Sequence, residues 1–184
     1  MKKGPPMDDQ RIQQLIDRQD ILDCLTRFSR GLDRLDRDIF LSAFHEDAEI
    51  AAGPFVGSPA ELADWSFAMH SQMQVLTQHD LLNHTCEIVG HTAHCETYYL
   101  FVARNTDETV MLAGGRYVDR LEKRGGAWRI AMRTNAIEWS SMPPALPLPF
   151  GDVPGIDDNG RGSRSREDVS YIRPLVNKRP SNIP

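Results

Sequence analysis

The sequence lacks the features that mark membrane, secreted and nucleic-acid-binding proteins. No apolar run in its 184 residues approaches the roughly 20 residues that cross a bilayer. The first ten residues contain two lysines but no apolar stretch of a signal peptide. Acidic residues outnumber basic ones, 26 to 21, whereas nucleic acids attract basic surfaces. We therefore expect a cytoplasmic protein that binds neither a membrane nor a nucleic acid.

Cysteine and metal-binding motifs are scarce as well. The sequence has three cysteines, Cys24, Cys86 and Cys95. An odd number of cysteines without paired spacing is typical of reduced thiols, and we expect all three in the core. Neither Cys-x-x-Cys nor His-Glu-x-x-His occurs, and His91 and His94 span a predicted turn, which is poor geometry for two ligands. Glycine-rich phosphate loops and Gly-x-Ser-x-Gly are absent too. The sequence thus predicts no metal site, no cofactor and no nucleophilic hydrolase.

The composition that remains, 40% apolar and 26% charged, is typical of one globular domain. We predict a loose arm over residues 1–8, a folded domain over 9–139 and an extended tail over 140–184. The tail holds eight of the twelve prolines and shows no periodicity. Its apolar segment 145–150 cannot be helical, because two prolines interrupt it. We expect this segment to contact another subunit, with a lid over the chain's own pocket and a disordered tail as alternatives.

The first half of the domain has helical spacing. A first helix is predicted from Asp8, and at about 100° per residue Asp33 falls on its apolar face. The alternative is that Gly31 ends this helix and that Asp33 is a solvated turn residue. A second helix is predicted over 36–44, and a third from Ser58, which forms a capping box with Glu61. The predicted apolar face of the first helix consists of Leu15, Leu22, Leu25, Phe28 and Leu32.

After residue 74 the apolar period changes toward two, which is typical of strands. Short, turn-like separators between the runs predict antiparallel hairpins. Gly114 and Gly115 inside the third run predict a bulge that bends the sheet. The expected fold is therefore α+β, with helices packed on one face of a strongly bent antiparallel sheet that encloses a pocket. The four predicted runs are 75–89, 92–104, 109–123 and 127–139.

His79 and Asp33 are the candidate catalytic residues. An imidazole can act as a general base near neutral pH, and a carboxylate on its other nitrogen fixes the tautomer and stabilises the imidazolium. The alternative for His79 is a structural histidine with satisfied hydrogen bonds. Arg133 in the last strand is a candidate for binding a polar group of a substrate. Candidate pocket residues, each of which is also a plausible core residue, are Phe28, Trp65, Met69, Tyr98 and Tyr99.

Several short motifs occur in an order and spacing that resemble one family. They are Gly31-Leu32-Asp33, Phe44-His45-Glu46-Asp47-Ala48, His79-x-x-x-Asn83, Ala93-x-x-Glu96-Thr97-Tyr98, Gly115-Arg116-Tyr117-x-Asp119, Gly126-x-Trp128-x-Ile130 followed by Arg133, and Arg166-Glu167-Asp168-Val169-Ser170-Tyr171. Over residues 9–139 the chain resembles the SnoaL-like branch of the nuclear transport factor 2-like superfamily, which groups with scytalone dehydratase and hexachlorocyclohexane dehydrochlorinase.

The resemblance implies a cone-shaped α+β barrel in which Asp33 and His79 form the catalytic pair and Arg133 lies in the pocket. It also implies a homo-oligomer, a trimer or a dimer. The chain departs from these enzymes at two positions. Phe28 replaces the catalytic lysine of the dehydrochlorinase, and Leu32 replaces a tyrosine of the dehydratase.

These observations predict a cofactor-independent lyase or isomerase that acts on a small apolar, cyclic substrate. Two alternatives remain open. The same cone serves as a non-catalytic ligand-binding module in some relatives, and as the small subunit of ring-hydroxylating dioxygenases in others.

Overall fold

Helices occupy the first part of the chain and long strands follow them. The computed structural model describes residues 9–144, 154 and 162–176. The elements are α1 (Asp9–Arg34), α2 (Arg37–Leu41), β1 (Phe44–Ala52), β2 (Phe55–Gly57), α3 (Pro59–Met73), β3 (Gln74–Val89), β4 (Thr92–Asn105), β5 (Val110–Arg124), β6 (Ala127–Ser141) and a 3₁₀ turn, η1 (Val169–Tyr171).

The six strands form one mixed sheet in the order β2-β1-β6-β5-β4-β3. The antiparallel meander β3 to β6 is as predicted. Register shifts between Gly114 and Gly115 confirm the predicted bulge. The sheet is not wholly antiparallel, however, because β1 runs parallel to β6, and it is not closed into a barrel. Helices packed on the inner face complete the α+β cone and place its core between helices and sheet.

Helix α1 extends to Arg34, so Asp33 is helical and the alternative of a helix ending at Gly31 is wrong. The predicted apolar face is also wrong in part, because Leu15 is 65% exposed and Leu22 is 38% exposed. Asp17 occupies the buried face instead, where its Oδ1 accepts hydrogen bonds from Lys123, Trp128 and Gln13. A carboxylate tolerates burial when donors satisfy it. The buried residues of α1 are Asp17, Ile21, Cys24, Leu25, Phe28, Gly31 and Leu32.

The capping box of α3 forms as predicted between Ser58 and Glu61. This helix buries one face only, because Trp65 and Met73 are substantially exposed. The buried face carries Leu62, Ser66 and His70, among others, so polar groups lie over the inner face of the sheet. This mixed face gives α3 a role in the pocket as well as in the core.

Part of the predicted tail folds back on the domain. Strand β6 continues to Ser141, two residues beyond the expected domain end. Arg164 Nη1 donates to the carbonyl oxygens of His70 (2.8 Å) and Gln74 (2.7 Å), and Tyr171 Oη donates to Asp36 (2.7 Å). The segment 145–150, expected to make a subunit contact, lies outside the described residues. Within the described ranges, no helix has the length and apolar character needed to span a bilayer.

Candidate active site

His79 and Asp33 meet at the junction of β3 and the last turn of α1. Asp33 Oδ1 lies 2.6 Å from His79 Nδ1, and Asp33 Oδ2 accepts a hydrogen bond from the His79 backbone N–H at 2.9 Å. Ser29, one turn earlier in α1, donates to the carbonyl oxygen of His79 at 2.6 Å. The expected carboxylate–imidazole contact is therefore present. Because Nδ1–H donates to the carboxylate, Nε2 carries the lone pair that could accept a proton.

A cavity of about 260 Å³ adjoins His79. Its walls are almost wholly apolar and come from α1, α3 and the inner face of the sheet. Four of the five candidate pocket residues, Phe28, Trp65, Met69 and Tyr99, line it, and Arg133 does so as well. The other lining residues are Leu32, Ile50, Ala52, Gly53, Pro54, Leu62, Ser66, His70, His79, Phe101, Met111, Ala113, Tyr117, Asn135 and Ile137.

Tyr98 does not line this cavity, so that prediction is wrong. Its side chain is 42% exposed and lies under the guanidinium of Arg116, 5.9 Å from the ring centroid. Successive side chains of a strand point to opposite faces, and in β4 it is Tyr99 and Phe101 that point inward. The sequence pattern predicted both adjacent tyrosines near the pocket. Because neighbouring residues of β4 face opposite sides of the sheet, only Tyr99 reaches it.

Arg133 is buried, and one edge of its guanidinium is paired with a carboxylate. Its Nε and Nη2 donate to Asp119 at 2.6 and 2.7 Å, and its guanidinium lies 4.0 Å from the Phe28 centroid and 4.3 Å from the Tyr117 centroid. Burial lowers the pKa of Arg133, but the charge and hydrogen bonds of Asp119 outweigh it and hold the pKa above its ordinary value. Nη1 has no hydrogen-bond partner among the described residues. This atom is therefore available to an acceptor on a ligand.

His70, which no sequence motif marks, is 4% exposed and faces the cavity from α3. Its Nδ1 hydrogen-bonds Gln74 Oε1, and its ring packs edge-on against His79 with centroids 5.9 Å apart. Burial lowers the pKa of His70 to about 4, so the ring is neutral near pH 7. Its spacing of four and eight residues from Ser66 and Leu62 could have placed it on the buried face.

Asn135 was also missed. It lines the cavity from β6, and its Oδ1 is buried without a hydrogen-bond partner among the described residues. Its position two residues after Arg133 places both side chains on the same face of the strand. Among the described residues, the pocket thus offers Arg133 Nη1 as an unpaired buried donor and Asn135 Oδ1 as an unpaired buried acceptor.

The architecture is that of the cone-like nuclear transport factor 2 fold, with an imidazole at the cavity wall that is paired with a carboxylate behind it. The chain belongs to the SnoaL-like domain family, whose model matches residues 13–134. No curated protein is significantly similar in sequence.

Solved structures with this fold include several named enzymes. A type 2 hexachlorocyclohexane dehydrochlorinase (LinA) superposes with a TM-score of 0.70 at 19% identity, over 77% of this chain and 99% of that one. A candidate scytalone dehydratase from Novosphingobium aromaticivorans DSM 12444 gives 0.64 at 20% identity, over 73% and 95%. A candidate aromatic ring hydroxylase from Novosphingobium aromaticivorans gives 0.62 at 21% identity, over 70% and 94%. At these identities the likeness shows the fold.

Proposed function

We propose that the protein is a cofactor-independent lyase or isomerase in which His79 is the general base and Asp33 orients it. The observation that carries this proposal is the 2.6 Å contact between His79 Nδ1 and Asp33 Oδ1 at the wall of an apolar cavity. The dehydrochlorinase and dehydratase names among the solved structures of this fold support the same reaction class.

The chemistry begins at the free lone pair of His79. Nε2 takes a proton from a carbon next to an electron-withdrawing group, and Asp33 stabilises the imidazolium that results. In a lyase, the electron pair of the broken C–H bond forms the new double bond while the leaving group departs from the adjacent carbon with its own electron pair. In an isomerase, the proton returns to a different carbon. Either route restores neutral His79 after the proton is released.

The cavity favours a small, largely apolar substrate with one polar end. Its volume of about 260 Å³ is below the roughly 300–1,000 Å³ typical of sites for drug-sized ligands, which fits a compact cyclic molecule. An acceptor on the substrate, such as a carbonyl oxygen, can receive a hydrogen bond from Arg133 Nη1. A substrate hydroxyl can donate to Asn135 Oδ1. Both contacts satisfy buried groups that have no other partner in the part of the chain that the structure describes.

Proton abstraction can be detected before the physiological substrate is known. A panel of small cyclic ketones, hydroxyketones and halides is incubated with the protein in D₂O, and exchange or elimination is followed by ¹H NMR. We expect His79→Ala to reduce the rate by roughly 10²–10⁴-fold, the usual contribution of a general base. Asp33→Asn should lower kcat with little change in KM. The substitution keeps the shape of the pocket but removes the negative charge that stabilises the His79 imidazolium.

His91→Gln is the matched control, because His91 lies exposed in the turn between β3 and β4. It should leave the exchange rate unchanged. A panel compound that binds the wild type but exchanges at the same rate with His79→Ala would refute general-base catalysis. The protein would then be a ligand-binding module with the same pocket.

A further inference from the structure

Two paired strands bring one histidine and two cysteines together away from the cavity. Cys86 in β3 lies directly opposite Cys95 in β4, and His84 lies opposite Thr97. Residues two apart on a strand share a face, so these side chains project to the same side of the sheet. None of the three lines the cavity that holds His79. The group is therefore separate from the candidate active site.

The spacing of the ligand atoms is close to that of a metal site. One ring nitrogen of His84 and the sulfurs of Cys86 and Cys95 all lie within 4.8 Å of one another. A tetrahedral zinc ion, with Zn–S near 2.3 Å and Zn–N near 2.0 Å, holds such atoms roughly 3.4–3.8 Å apart. Closure around an ion therefore needs movements of about 1 Å, which side-chain rotations can supply.

His84 has the hydrogen-bond pattern of a metal ligand. Its Nδ1 is 2.8 Å from Thr97 Oγ1, while its Nε2 is buried with no hydrogen-bond partner among the described residues. Buried polar atoms are nearly always paired, so the lone Nε2 requires an explanation. Ligating histidines characteristically use the second ring nitrogen for a hydrogen bond that fixes the ring. Thr97 fits that orienting role.

We propose that His84, Cys86 and Cys95 bind one thiophilic divalent cation, of which Zn²⁺ is the representative. Two thiolates and one neutral imidazole suit zinc, whereas Mg²⁺ and Ca²⁺ require oxygen ligands. The two negative thiolates also neutralise the ion, which limits the cost of burying its charge. Water completes the fourth position.

The proposed ion would stabilise the edge of the sheet. Strand β3 is an edge strand, and its register with β4 shifts between Leu81 and His84. A cation bridging Cys86 and Cys95 would fix the pairing just beyond this shift, on the same strand that carries His79. His84 is only partly buried, which leaves a route for the ion from the edge.

Cobalt provides a direct probe, because Co²⁺ bound by thiolates gives a near-ultraviolet charge-transfer band and intense visible bands when tetrahedral. The full chain is stripped with a chelator, kept reduced with a phosphine and titrated with Co²⁺, then with Zn²⁺. We expect one Co²⁺ per chain, displaced by Zn²⁺ and unaffected by Mg²⁺. Cys86→Ser and Cys95→Ser should lose the charge-transfer band or most of its intensity.

Cys24→Ser is the matched control. Cys24 is also a buried thiol, but its Sγ contacts the carbonyl oxygen of Ala43, and it should retain the full cobalt spectrum. Thr97→Val should weaken Co²⁺ binding by roughly 10–100-fold, as expected when the partner of a ligating histidine is removed. His84→Asn keeps the test informative if a cysteine variant does not fold, because His84 is less buried than either cysteine.

Three outcomes would overturn the proposal. The first is a reduced, folded wild type that gives no thiolate-to-cobalt band. The second is a band that survives unchanged in His84→Asn and Cys95→Ser. The third is a band that Cys24→Ser removes while its far-ultraviolet circular dichroism stays native. In the first case, if air oxidation then joins Cys86 to Cys95 and passes their two hydrogens to oxygen, the pair is a redox site instead of a metal site.

Discussion

Replacing His70 with glutamine should flatten the loss of stability that the wild type shows in mild acid. His70 is buried in α3, where Gln74, the His79 ring and Arg164 surround it, with Asp33 nearby. Burial is the largest influence on its pKa and lowers it from 6.5 to about 4. Glutamine keeps a side chain able to hydrogen-bond Gln74 but does not titrate.

The sign and size of the effect follow from these two values. Between pH 6.5 and 4 the unfolded chain protonates this histidine, while the folded protein holds it neutral. The free energy of unfolding therefore falls as the pH drops through this window, whereas at higher pH His70 adds no pH dependence to it. The difference between 6.5 and about 4 corresponds to roughly 3 kcal/mol at the acid end.

Urea unfolding followed by circular dichroism at half-unit intervals from pH 4 to 8 measures this effect. The wild type should lose stability toward pH 4 more steeply than His70→Gln, although the variant starts less stable at pH 8. His91→Gln is the control, because an exposed turn histidine should leave the wild-type slope unchanged. Parallel curves for the wild type and His70→Gln would refute the assignment of His70 as a buried neutral base.

Three further changes have defined outcomes. Asp119→Ala leaves the buried Arg133 unpaired and should lower the free energy of unfolding by about 3–5 kcal/mol. The control is Asp64→Asn, which breaks an exposed ion pair and should cost at most about 1 kcal/mol. Equal losses in the two variants would contradict the argument that burial makes the Arg133–Asp119 pair important. Gly31→Ala places a β-carbon against the backbone of Phe40 and should lower the free energy of unfolding by about 1–3 kcal/mol. An unchanged free energy of unfolding would argue against close packing of α1 on α2. Arg164→Gln removes the charged donor to the carbonyl oxygens of His70 and Gln74. It should speed amide hydrogen exchange in residues 162–176 by roughly 10–100-fold. Unchanged exchange would show that this segment contacts the domain without the help of Arg164.

Local patterns in the sequence predicted the elements well. The Ser58–Glu61 capping box starts α3, because its hydrogen bonds involve residues only three apart. Gly90, Gly125 and Gly126 adopt positive φ in the hairpin turns, a conformation that glycine adopts without strain. The change of apolar period after residue 74 marks the start of the meander. These signals are local, so they do not depend on the rest of the fold.

The candidate site was predicted by combining patterns with family resemblance. Asp33 and His79 are 46 residues apart, and helical spacing alone left the end of α1 open. The resemblance joined the two positions, and their contact is present. His70 and Asn135 were missed because they belong to no motif, and their relevance depends on which face of α3 and of β6 is turned toward the cavity.

The phase of each element was decided by tertiary packing. A helical period allows several faces to be buried, and Asp17 is buried in place of Leu15 because Lys123 and Trp128 approach it from the sheet. A strand period of two leaves either face open, and β4 turns Tyr99 inward and Tyr98 outward. The parallel pairing of β1 with β6 joins segments that are distant in the chain.

The sequence by itself thus determined the kind, order and approximate limits of the three helices and of the four strands of the meander, because propensity, capping and turn chemistry act over a few residues. Only the tertiary structure decided which side chains share the cavity and that Cys86 faces Cys95. Contacts between distant segments set the strand register, the rotation of each helix and the parallel pairing of β1 with β6. The free energy of these contacts cannot be read from a local sequence pattern.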